Sequence, residues 1–328
     1  MPITLQDITA AAARLEGISV RTPLLTSPEL DRRIGARVFL KAENLQHVGA
    51  FKFRGAYNRL VQLTQEERER GVVAFSSGNH AQGIAYAARL LGMKATIVMP
   101  TDAPTIKREG TEALGAAVRA YDRKTESREE IAAEIADYSG AVLVPAFDDV
   151  AVMAGQGTCG LELVQQLRER GWEPDLVLSP VGGGGLMSGV ATAVRGLAPE
   201  CRVVGVEPDA YNDHVQSAEQ GARVRIDPQT ATRCDSLMAT QPGVLTWAVN
   251  SRLVDRFVSV SEDEVAQAVS FAFRYLKLVV EPGGAVGLAA LLGGHIRPVP
   301  GATACAVLSG GNIDATTFAD CLAQFPAP

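Results

Sequence analysis

Apolar runs rich in valine and isoleucine alternate along the chain with stretches whose apolar residues recur at helical spacing. The runs are apolar on both faces, which is typical of strands in a parallel sheet that helices cover on both sides. Two of the intervening stretches, 79–92 and 127–140, close on a glycine, the usual residue after a helix end. The pattern predicts strands at 72–77, 95–100, 117–121, 141–146, 176–181, 203–208 and 304–310.

This alternation indicates an α/β protein. With this many strand–helix units, we expect two open, twisted, mostly parallel sheets flanked by helices. A chain of 328 residues is also long enough for roughly two domains with their own cores. No internal repeat or low-complexity linker marks the boundary. We predict a larger domain at 1–70 plus 147–328 and a smaller domain at 71–146.

Composition and charge narrow the class of protein. The N-terminal segment predicts an amphipathic helix, with Ile8, Ala11, Ala12 and Leu15 on one face, rather than a secretory signal. No apolar run approaches the roughly 20 residues that span a bilayer. A net charge of -6 argues against nucleic acid or an anionic membrane as the partner. The five cysteines are scattered without a CxxC pair, so we expect a cytoplasmic protein without disulfides.

The stretch HVGAFKFRGAYN, at 47–58, places Lys52 between Phe51 and Phe53. A lysine stripped of water loses its proton more readily and can form an imine. The alternative is a lysine at a helix start whose stem covers apolar neighbours while its charge reaches solvent. This stretch alone leaves both interpretations open.

Three glycine-rich loops follow predicted strands, at 76–83, 181–189 and 309–312, where open α/β sheets bind ligands. The second loop contains four consecutive glycines, Gly182, Gly183, Gly184 and Gly185. Without Cβ atoms, their backbone N–H groups can converge on one anion, and the following helix adds its positive end. The expected anion is a phosphate, and a flexible turn is the alternative. No GxxxxGK[ST] is present, and no GxGxxG precedes a suitably spaced acidic residue, which argues against nucleoside triphosphate and dinucleotide sites.

The first loop offers hydroxyl, amide and backbone N–H groups at a predicted helix start: Ser76, Ser77, Gly78, Asn79 and His80. This set suits a carboxylate, and the Asn79 amide can hydrogen-bond an oxygen on a ring. An N-capping cluster is the alternative, and His80 is expected to be a structural hydrogen-bonding residue. An imine-forming lysine, a phosphate cradle and a carboxylate loop together indicate pyridoxal phosphate (PLP) holding an amino acid.

These segments resemble the serine/threonine dehydratases and serine racemases among the fold-type-II PLP enzymes, which share the fold of the tryptophan synthase β subunit. The resemblance runs over almost the whole chain, through RTPLLTSPEL, FKFRGAYN, SSGNHAQG, AGQGT, SPVGGGGLMSG, GVEP, VEPGGA and LSGGN. It implies that Lys52 forms the imine with PLP, that Phe51 packs beside the pyridine ring and that Asn79 binds the phenolic oxygen.

The resemblance also implies roles for the other two loops. The glycines 182–185, with Leu186, would bind the phosphate within the larger domain, and Ser309 would meet the pyridine nitrogen. A neutral hydroxyl at that nitrogen does not enforce a protonated ring, so the ring is a weaker electron sink and elimination is favoured over transamination.

The implied activity is that of an ammonia-lyase, which converts a β-hydroxy amino acid, L-threonine or L-serine, to a 2-oxo acid and ammonia. Lys52 would remove the Cα proton, the loop 76–80 would bind the substrate carboxylate, and Ser77 would be a second acid/base that permits racemisation. The alternatives are a threo-3-hydroxyaspartate ammonia-lyase, a serine racemase or, in another class, a non-catalytic phosphate-binding α/β protein. A homodimer is expected from the resemblance.

The segment EPDAYND, at 207–213, resembles a divalent-cation site found in part of this family. Glu207 and Asp213 would give carboxylate oxygens and Tyr211 its backbone carbonyl, which suits Mg²⁺ or Ca²⁺. A solvated acidic loop is the alternative. Arg128 lines up with a residue that some relatives use near the substrate carboxylate, and an exposed arginine on a helix is the alternative. Glu281 falls where relatives place a carboxylate near the cofactor, and its role stays open.

Two places depart from the family pattern. Many relatives read TGSFK where this chain reads VGAFK at 48–52, and the AFKFRGA variant resembles relatives acting on threo-3-hydroxyaspartate. Relatives commonly carry Asp-Gly where this chain has Asp235 and Ser236. The added side chain would reshape the pocket around the β substituent, so both departures bear on the substrate and not on the cofactor.

Overall fold

The structure is a computed structural model that describes residues 1–76, 78–103 and 105–325, without the side chains of residues 105 and 106. Ser77, the predicted second acid/base and one of the predicted carboxylate-binding residues, lies outside the described residues.

The strands of the described residues form two sheets. In chain order they are β1 (Leu24–Thr26), β2 (Arg37–Ala42), β3 (Val72–Phe75), β4 (Ala95–Pro100), β5 (Ala117–Tyr121), β6 (Val142–Leu143), β7 (Leu176–Pro180), β8 (Arg202–Pro208), β9 (Arg256–Val260) and β10 (Thr303–Leu308). The six-stranded sheet has the order β1-β2-β10-β7-β8-β9, and the four-stranded sheet has the order β5-β4-β3-β6. Every neighbouring pair is parallel except β1 with β2, which confirms the predicted α/β fold with two mostly parallel sheets.

Helices flank both sheets. They are α1 (Leu5–Leu15), α2 (Pro28–Ile34), α3 (Lys52–Leu60), α4 (Gln65–Arg70), α5 (Asn79–Leu90), α6 (Thr105–Ala113), α7 (Arg128–Ser139), α8 (Val150–Arg168), α9 (Gly185–Leu197), α10 (Asp213–Gln220), α11 (Val244–Leu253), α12 (Glu262–Phe271), α13 (Pro282–Leu292) and α14 (Ala315–Gln324). Short 3₁₀ turns lie at Glu43–Leu45, His47–Gly49, Asp209–Tyr211 and Asp235–Leu237, and a π-helical turn at Ala272–Leu276 follows α12. Within the described ranges, none of these helices combines the length and the apolarity that crossing a membrane requires.

The central strands follow the predicted apolar pattern, and the peripheral strands depart from it. Strands β7 and β10 are buried along their whole length, as expected for strands covered on both faces. The pattern missed β1, β2 and β9, and the run at 141–146 is a strand only over Val142–Leu143. Strand β2 was missed because it contains Lys41, whose fully buried ammonium pairs with Glu162 at 2.7 Å. A charge that is paired inside the protein gives no apolar signal in the sequence.

The N-terminal prediction is confirmed. Helix α1 begins at a capping box in which Thr4 and Asp7 exchange hydrogen bonds, and Ile8, Ala11 and Leu15 are buried. The four-stranded sheet lies wholly between residues 72 and 143, inside the range given to the smaller domain. The domain boundaries themselves stay a prediction.

A buried ion network fixes α3, the helix that begins at Lys52. The Arg54 guanidinium has no exposed side-chain surface and pairs with Glu43 at 2.7 Å and with Glu162 at 2.6 Å. Burial opposes the charge, but the two carboxylates hold the pKa of Arg54 well above its ordinary value. The network ties α3 to the turn after β2 and to α8, so the start of α3 has a fixed position.

Candidate active site

Lys52 lies at the first position of α3 with its amine turned inward. Its Nζ donates a hydrogen bond to the backbone carbonyl of Ala146 at 2.8 Å and lies 5.1 Å from the centre of the Phe51 ring. Burial lowers the pKa of Lys52 from 10.5 to about 8, although the nearby Glu281 carboxylate acts in the opposite direction. The amine is therefore partly uncharged near neutral pH, as an imine-forming lysine requires.

The end of β10 holds the backbone beside Lys52. The Phe51 N–H donates to the Ser309 carbonyl at 3.0 Å, and Ala50 forms an isolated bridge with Gly310. Ser309 itself is buried, and its hydroxyl makes no hydrogen bond with the residues that the structure describes. It is thus free to meet a ligand atom such as a ring nitrogen.

The second glycine loop connects β7 to α9. Gly184 is the N-cap of α9 with φ at 96°, a left-handed conformation that favours glycine, and no side chain caps the helix. The carbonyl of Gly183 accepts from the Thr246 hydroxyl at 2.6 Å. Among the described residues, no hydrogen bond is donated by the N–H groups of 182–184. The loop therefore offers several donors and a helix N-terminus to an anion, with the buried side chain of Leu186 in the first turn of α9.

The lysine and the glycine loop are brought together by two consecutive residues. Ala146 accepts the Lys52 hydrogen bond. The side chain of Phe147 packs against Gly183, where a Cβ would lie 2.4 Å from the phenylalanine ring. The amine and the candidate phosphate cradle therefore belong to one site.

The carboxylate loop lies at the N-terminus of α5. The Ser76 hydroxyl accepts a hydrogen bond from the Gly78 N–H at 3.1 Å, and Asn79 is the first residue of the helix. His80 is buried and its Nε2 lies 3.1 Å from the Val144 carbonyl. Burial, together with Lys52, lowers the pKa of His80 to about 3, so the ring is neutral. His80 has the structural hydrogen bond that was expected of it.

Asn79 is held by two side chains from distant parts of the chain. Its Nδ2 donates to Glu281 Oε1 at 2.7 Å, and its Oδ1 accepts from Asn312 Nδ2 at 2.8 Å. Burial and the nearby Asp235 raise the pKa of Glu281 to about 7, against hydrogen bonds from Asn79 and Ser236 that lower it. Asn79 and Asn312 join the first and third loops, and Ala146 and Phe147 connect the glycine loop to Lys52, so all three loops contribute to one site.

Comparison with known proteins places this site in a family. A family model described as "Pyridoxal-phosphate dependent enzyme" matches residues 15–310. The chain is 46% identical over 318 residues to an L-threo-3-hydroxyaspartate ammonia-lyase from a Pseudomonas species, covering 96% of this chain and 97% of that protein. It is 43% identical to an L-threonine ammonia-lyase from Thermotoga maritima, covering 95% of this chain and 76% of that protein. The structure of maize serine racemase matches with a TM-score of 0.92 at 36% identity, over 99% of this chain and 98% of that one.

The chain belongs to the pyridoxal-phosphate-dependent enzymes. The predicted resemblance to the ammonia-lyases and serine racemases is confirmed, and so is the prediction of a PLP-dependent carbon–nitrogen lyase. The alternative of a non-catalytic phosphate-binding α/β protein is not supported.

The residues of this PLP-dependent enzyme fit the cofactor. The unbonded N–H groups of 182–184 match a phosphate, the inward amine of Lys52 matches an aldehyde, and the unpartnered Ser309 hydroxyl matches a ring nitrogen. The Phe51 side chain is half-buried next to Lys52, where a ring could rest on it. Each role remains a prediction for the individual residue.

The predicted cation site contains a residue that no sequence motif indicated. Glu207, Asp213 and His214 are buried and bring ligand atoms within 4.8 Å of one another. His214 Nδ1 lies 3.2 Å from Glu207 Oε1 and 3.4 Å from Asp213 Oδ2. Burial opposes its charge, but the two carboxylates raise the pKa of His214 to about 9. Tyr211 ends the 3₁₀ turn just before this cluster, and the burial of both carboxylates excludes the alternative of a solvated acidic loop for them.

The structure also locates two other charged residues, Arg128 and Asp235. Arg128 lies over the Phe75 ring, 5.3 Å from its centre, and pairs with Glu129 on an exposed surface. Asp235 pairs with Lys107, which no sequence pattern indicated. Because Lys107 lies on α6 and Asp235 lies on the turn before α11, this ion pair joins the units of the two sheets.

Further residues, not predicted from the sequence, support the predicted ones. They are Ala146, Phe147, Thr246, Asn250 and Asn312. Only Asn312 carried a signal, since it ends the predicted third loop SGGN. The others contact the site through folding of distant segments.

Proposed function

We propose that this protein is an ammonia-lyase that converts a β-hydroxy amino acid to a 2-oxo acid and ammonia. The observation that carries the proposal is the inward amine of Lys52, with its lowered pKa, beside the unbonded N–H groups of the glycine loop. The ammonia-lyases among its relatives support the reaction class.

Different residues of the chain are proposed for cofactor binding, substrate binding and proton transfer. When bound, PLP supplies an aldehyde that condenses with amines and a ring that withdraws electrons from Cα. The glycines 182–185 and Leu186 hold its phosphate, and the N-terminus of α5, at 76–80, orients the substrate carboxylate. Lys52, as an uncharged amine, removes the Cα proton. Loss of the β-hydroxyl as water and hydrolysis of the C–N bond by another water balance the products, a 2-oxo acid and ammonia.

Ser309 favours elimination over transamination in this proposal. Its neutral hydroxyl leaves the pyridine nitrogen without an enforced proton, so the electron pair left at Cα is less stabilised by the ring and expels the β-hydroxyl. Ser77 is proposed as a second acid/base that allows racemisation as a side activity.

L-Threonine and L-serine are the proposed substrates, and L-threo-3-hydroxyaspartate is a second candidate. The second candidate is supported by the Pseudomonas relative, which is named for that activity. A panel of L- and D-serine, L-threonine, L-threo-3-hydroxyaspartate and phenylserine, assayed for 2-oxo acid, distinguishes the candidates. Serine recovered in the opposite configuration reports racemisation.

The test of the proposed function is covalent labelling. Borohydride treatment of the holoenzyme followed by peptide mapping is expected to tag Lys52, and Lys52→Ala is expected to abolish both the visible absorption of the cofactor and the lyase activity. Lys94→Ala, at an exposed lysine, is the matched control and should retain both. A tag on another lysine, or an active Lys52→Ala variant, overturns the proposal.

A divalent cation, Mg²⁺ or Ca²⁺, is proposed at Glu207, Asp213 and the Tyr211 carbonyl. Both carboxylate oxygens of Asp213 are buried and accept no hydrogen bond from the described residues, although His214 Nδ1 lies 3.4 Å from Oδ2. Hard oxygen ligands suit these ions, and a bound ion would replace the charge of the His214 imidazolium. Thermal unfolding with EDTA, Mg²⁺ or Ca²⁺ tests the site. Stabilisation by an ion that Asp213→Asn removes is expected, and an unfolding temperature that no ion changes contradicts it.

A cytoplasmic location, a homodimer, and a division into 1–70 plus 147–328 and 71–146 complete the proposal. The free, buried state of all five cysteines supports a reducing compartment. Light scattering of the purified protein tests the dimer, and limited proteolysis tests the domain boundary.

A further inference from the structure

The side-chain amide of Asn79 has half of its hydrogen-bonding capacity, one acceptor position and one donor, occupied by protein. A carboxamide has an oxygen that accepts and a nitrogen that carries two donors. The oxygen accepts from Asn312 Nδ2 at 2.8 Å, and one of the two N–H groups donates to Glu281 Oε1 at 2.7 Å. The only donor left for a ligand is the second N–H group, beside the remaining lone pair of the oxygen.

The backbone determines the direction of these hydrogen bonds. Asn312 Nδ2 also donates to the Val48 carbonyl at 2.8 Å, and a carbonyl can only accept. Asn312 must therefore present its nitrogen to Asn79 as well. If the Asn79 amide were rotated by half a turn, its nitrogen would face the Asn312 nitrogen and its oxygen would face the Glu281 carboxylate. Both contacts would be repulsive, so only one orientation of Asn79 is satisfied.

The absence of a side chain at Gly310 leaves space for the Glu281 carboxylate. A Cβ at Gly310 would lie 2.4 Å from Glu281 Oε1 and 3.1 Å from Asn79 Nδ2, so no larger residue fits at 310 without moving this hydrogen bond. The Glu281 N–H also donates to the Gly310 carbonyl at 3.0 Å. Glu281 is only 2% exposed. The acceptor for Asn79 is thus held by its own backbone N–H and by the close approach of Gly310.

We propose that Glu281 and Asn312 are positioning residues that orient Asn79, so that its remaining N–H faces the phenolic oxygen of PLP. We call Asn79, Glu281 and Asn312 the amide clamp. The inference rests on the cofactor role proposed for Asn79 and adds two residues to which no role is assigned. Its consequence is electronic, because a donor at the phenolic oxygen stabilises the form of the cofactor in which that oxygen is negative.

The absorption spectrum of the holoenzyme tests the amide clamp independently of activity. The form with a negative phenolic oxygen absorbs in the visible, and the neutral form absorbs in the near ultraviolet. Asn312→Asp replaces a donor by an acceptor, and Glu281→Ala removes the acceptor. Each variant is expected to lower the ratio of visible to near-ultraviolet absorbance by about fivefold, as for the loss of one hydrogen bond. Glu281→Gln keeps an acceptor oxygen and is expected to stay within about twofold of the unmodified protein.

Asn44→Ala is the matched control. Asn44 is a buried asparagine whose Nδ2 donates to the Val279 carbonyl. It lies against Gly311 and makes no hydrogen bond with Asn79 among the described residues. Its variant is expected to keep the absorbance ratio, which separates orientation of Asn79 from general loosening of these loops.

The outcomes separate this inference from the proposed function. PLP content and borohydride labelling of Lys52 are measured on the unmodified protein and on each variant. An unmodified protein that holds no PLP, or that is not labelled at Lys52, contradicts the proposed function. Bound PLP with an unchanged absorbance ratio in Asn312→Asp overturns the amide clamp. If Glu281→Ala does not fold, Asn312→Asp and Glu281→Gln still test the amide clamp. The proposal requires a changed absorbance ratio in Asn312→Asp and an unchanged absorbance ratio in Glu281→Gln.

Discussion

Lys52 donates a hydrogen bond from its amine to the backbone carbonyl of Ala146 at 2.8 Å. The carbonyl belongs to the segment after β6, so the contact joins the start of α3 to the four-stranded sheet. A neutral amine keeps this hydrogen bond, because it still carries N–H donors. The contact therefore holds the nucleophile in place in both protonation states while burial favours the uncharged one.

The first prediction concerns the pH dependence of cofactor binding. Since the pKa of Lys52 is lowered to about 8, the rate at which apoenzyme acquires the visible absorption of bound PLP should rise with pH and reach half its maximum near pH 8. Stopped-flow absorbance of apoenzyme mixed with PLP measures it. Glu281→Gln removes the charge that raises this pKa, so its midpoint should move to lower pH. A midpoint near 10, the ordinary lysine value, contradicts the burial argument.

The same lowered pKa affects folding of the apoenzyme. Between pH 8 and 10.5 the unfolded chain binds more protons at Lys52 than the folded chain does, so the free energy of unfolding should rise with pH across that window. Lys52→Met lacks the titrating amine. The rise in its free energy of unfolding over the same pH window should be smaller than that of the unmodified protein, and the difference should be on the order of 2 kcal/mol. Urea unfolding at several pH values compares the two, and parallel curves refute the expectation.

The second prediction concerns the glycine loop. In Gly183→Ala the new Cβ meets the Phe147 ring at 2.4 Å, and the loop has to shift to relieve the clash. We expect loss of about 2 kcal/mol in the free energy of unfolding and weaker PLP binding, since the converging N–H groups move with the backbone. Equilibrium unfolding and PLP titration measure both effects.

The control for this variant is Gly287→Ala in α13. A Cβ there has its nearest neighbour at 3.7 Å, an ordinary contact distance, and glycine is unfavourable inside a helix. Gly287→Ala should bind PLP normally and be no less stable. Equal PLP affinity in Gly183→Ala and Gly287→Ala would show that the loop does not bind the cofactor.

The third prediction concerns the departure at Ser236. Its hydroxyl lowers the pKa of Glu281, so Ser236→Gly, which restores the residue common in relatives, should raise that pKa above about 7. Infrared difference spectroscopy of the protonated carboxyl group measures this pKa directly. Its midpoint should move upward in Ser236→Gly, and an unchanged or lowered midpoint contradicts the assignment.

The parts of the site that sequence could predict have strong local signals. Four consecutive glycines after an apolar strand, a lysine between two phenylalanines and a polar loop at a helix start indicate chemistry when they are taken together. Their positions follow from the rule that open α/β sheets bind ligands beyond the carboxyl ends of strands. The predictions of the fold and of PLP, which rest on these signals, are confirmed.

The missed residues are ordinary polar side chains brought in by packing. His214 directly follows the predicted segment 207–213, but only the turn from β8 into α10 brings its ring against Glu207. Asn250 reaches Gly184 from α11. Strand β2 was missed for a related reason, because its buried Lys41 is compensated by a partner more than a hundred positions away. Partners at that separation leave no periodic pattern in one sequence.

The last prediction concerns the ion network under the site. Arg54→Met leaves Glu43 buried without its guanidinium partner, because Glu43 has no exposed side-chain surface and accepts two hydrogen bonds from Arg54. Removing one partner of a buried pair costs about 3–5 kcal/mol, and urea unfolding of the apoenzyme measures the loss. Arg21→Met is the control. Arg21 pairs with Glu169, and the two side chains are about half exposed, at 49% and 58%. Loss of this exposed pair should lower the free energy of unfolding by less than about 1 kcal/mol. Similar losses in the two variants would mean that the buried network does not fix α3.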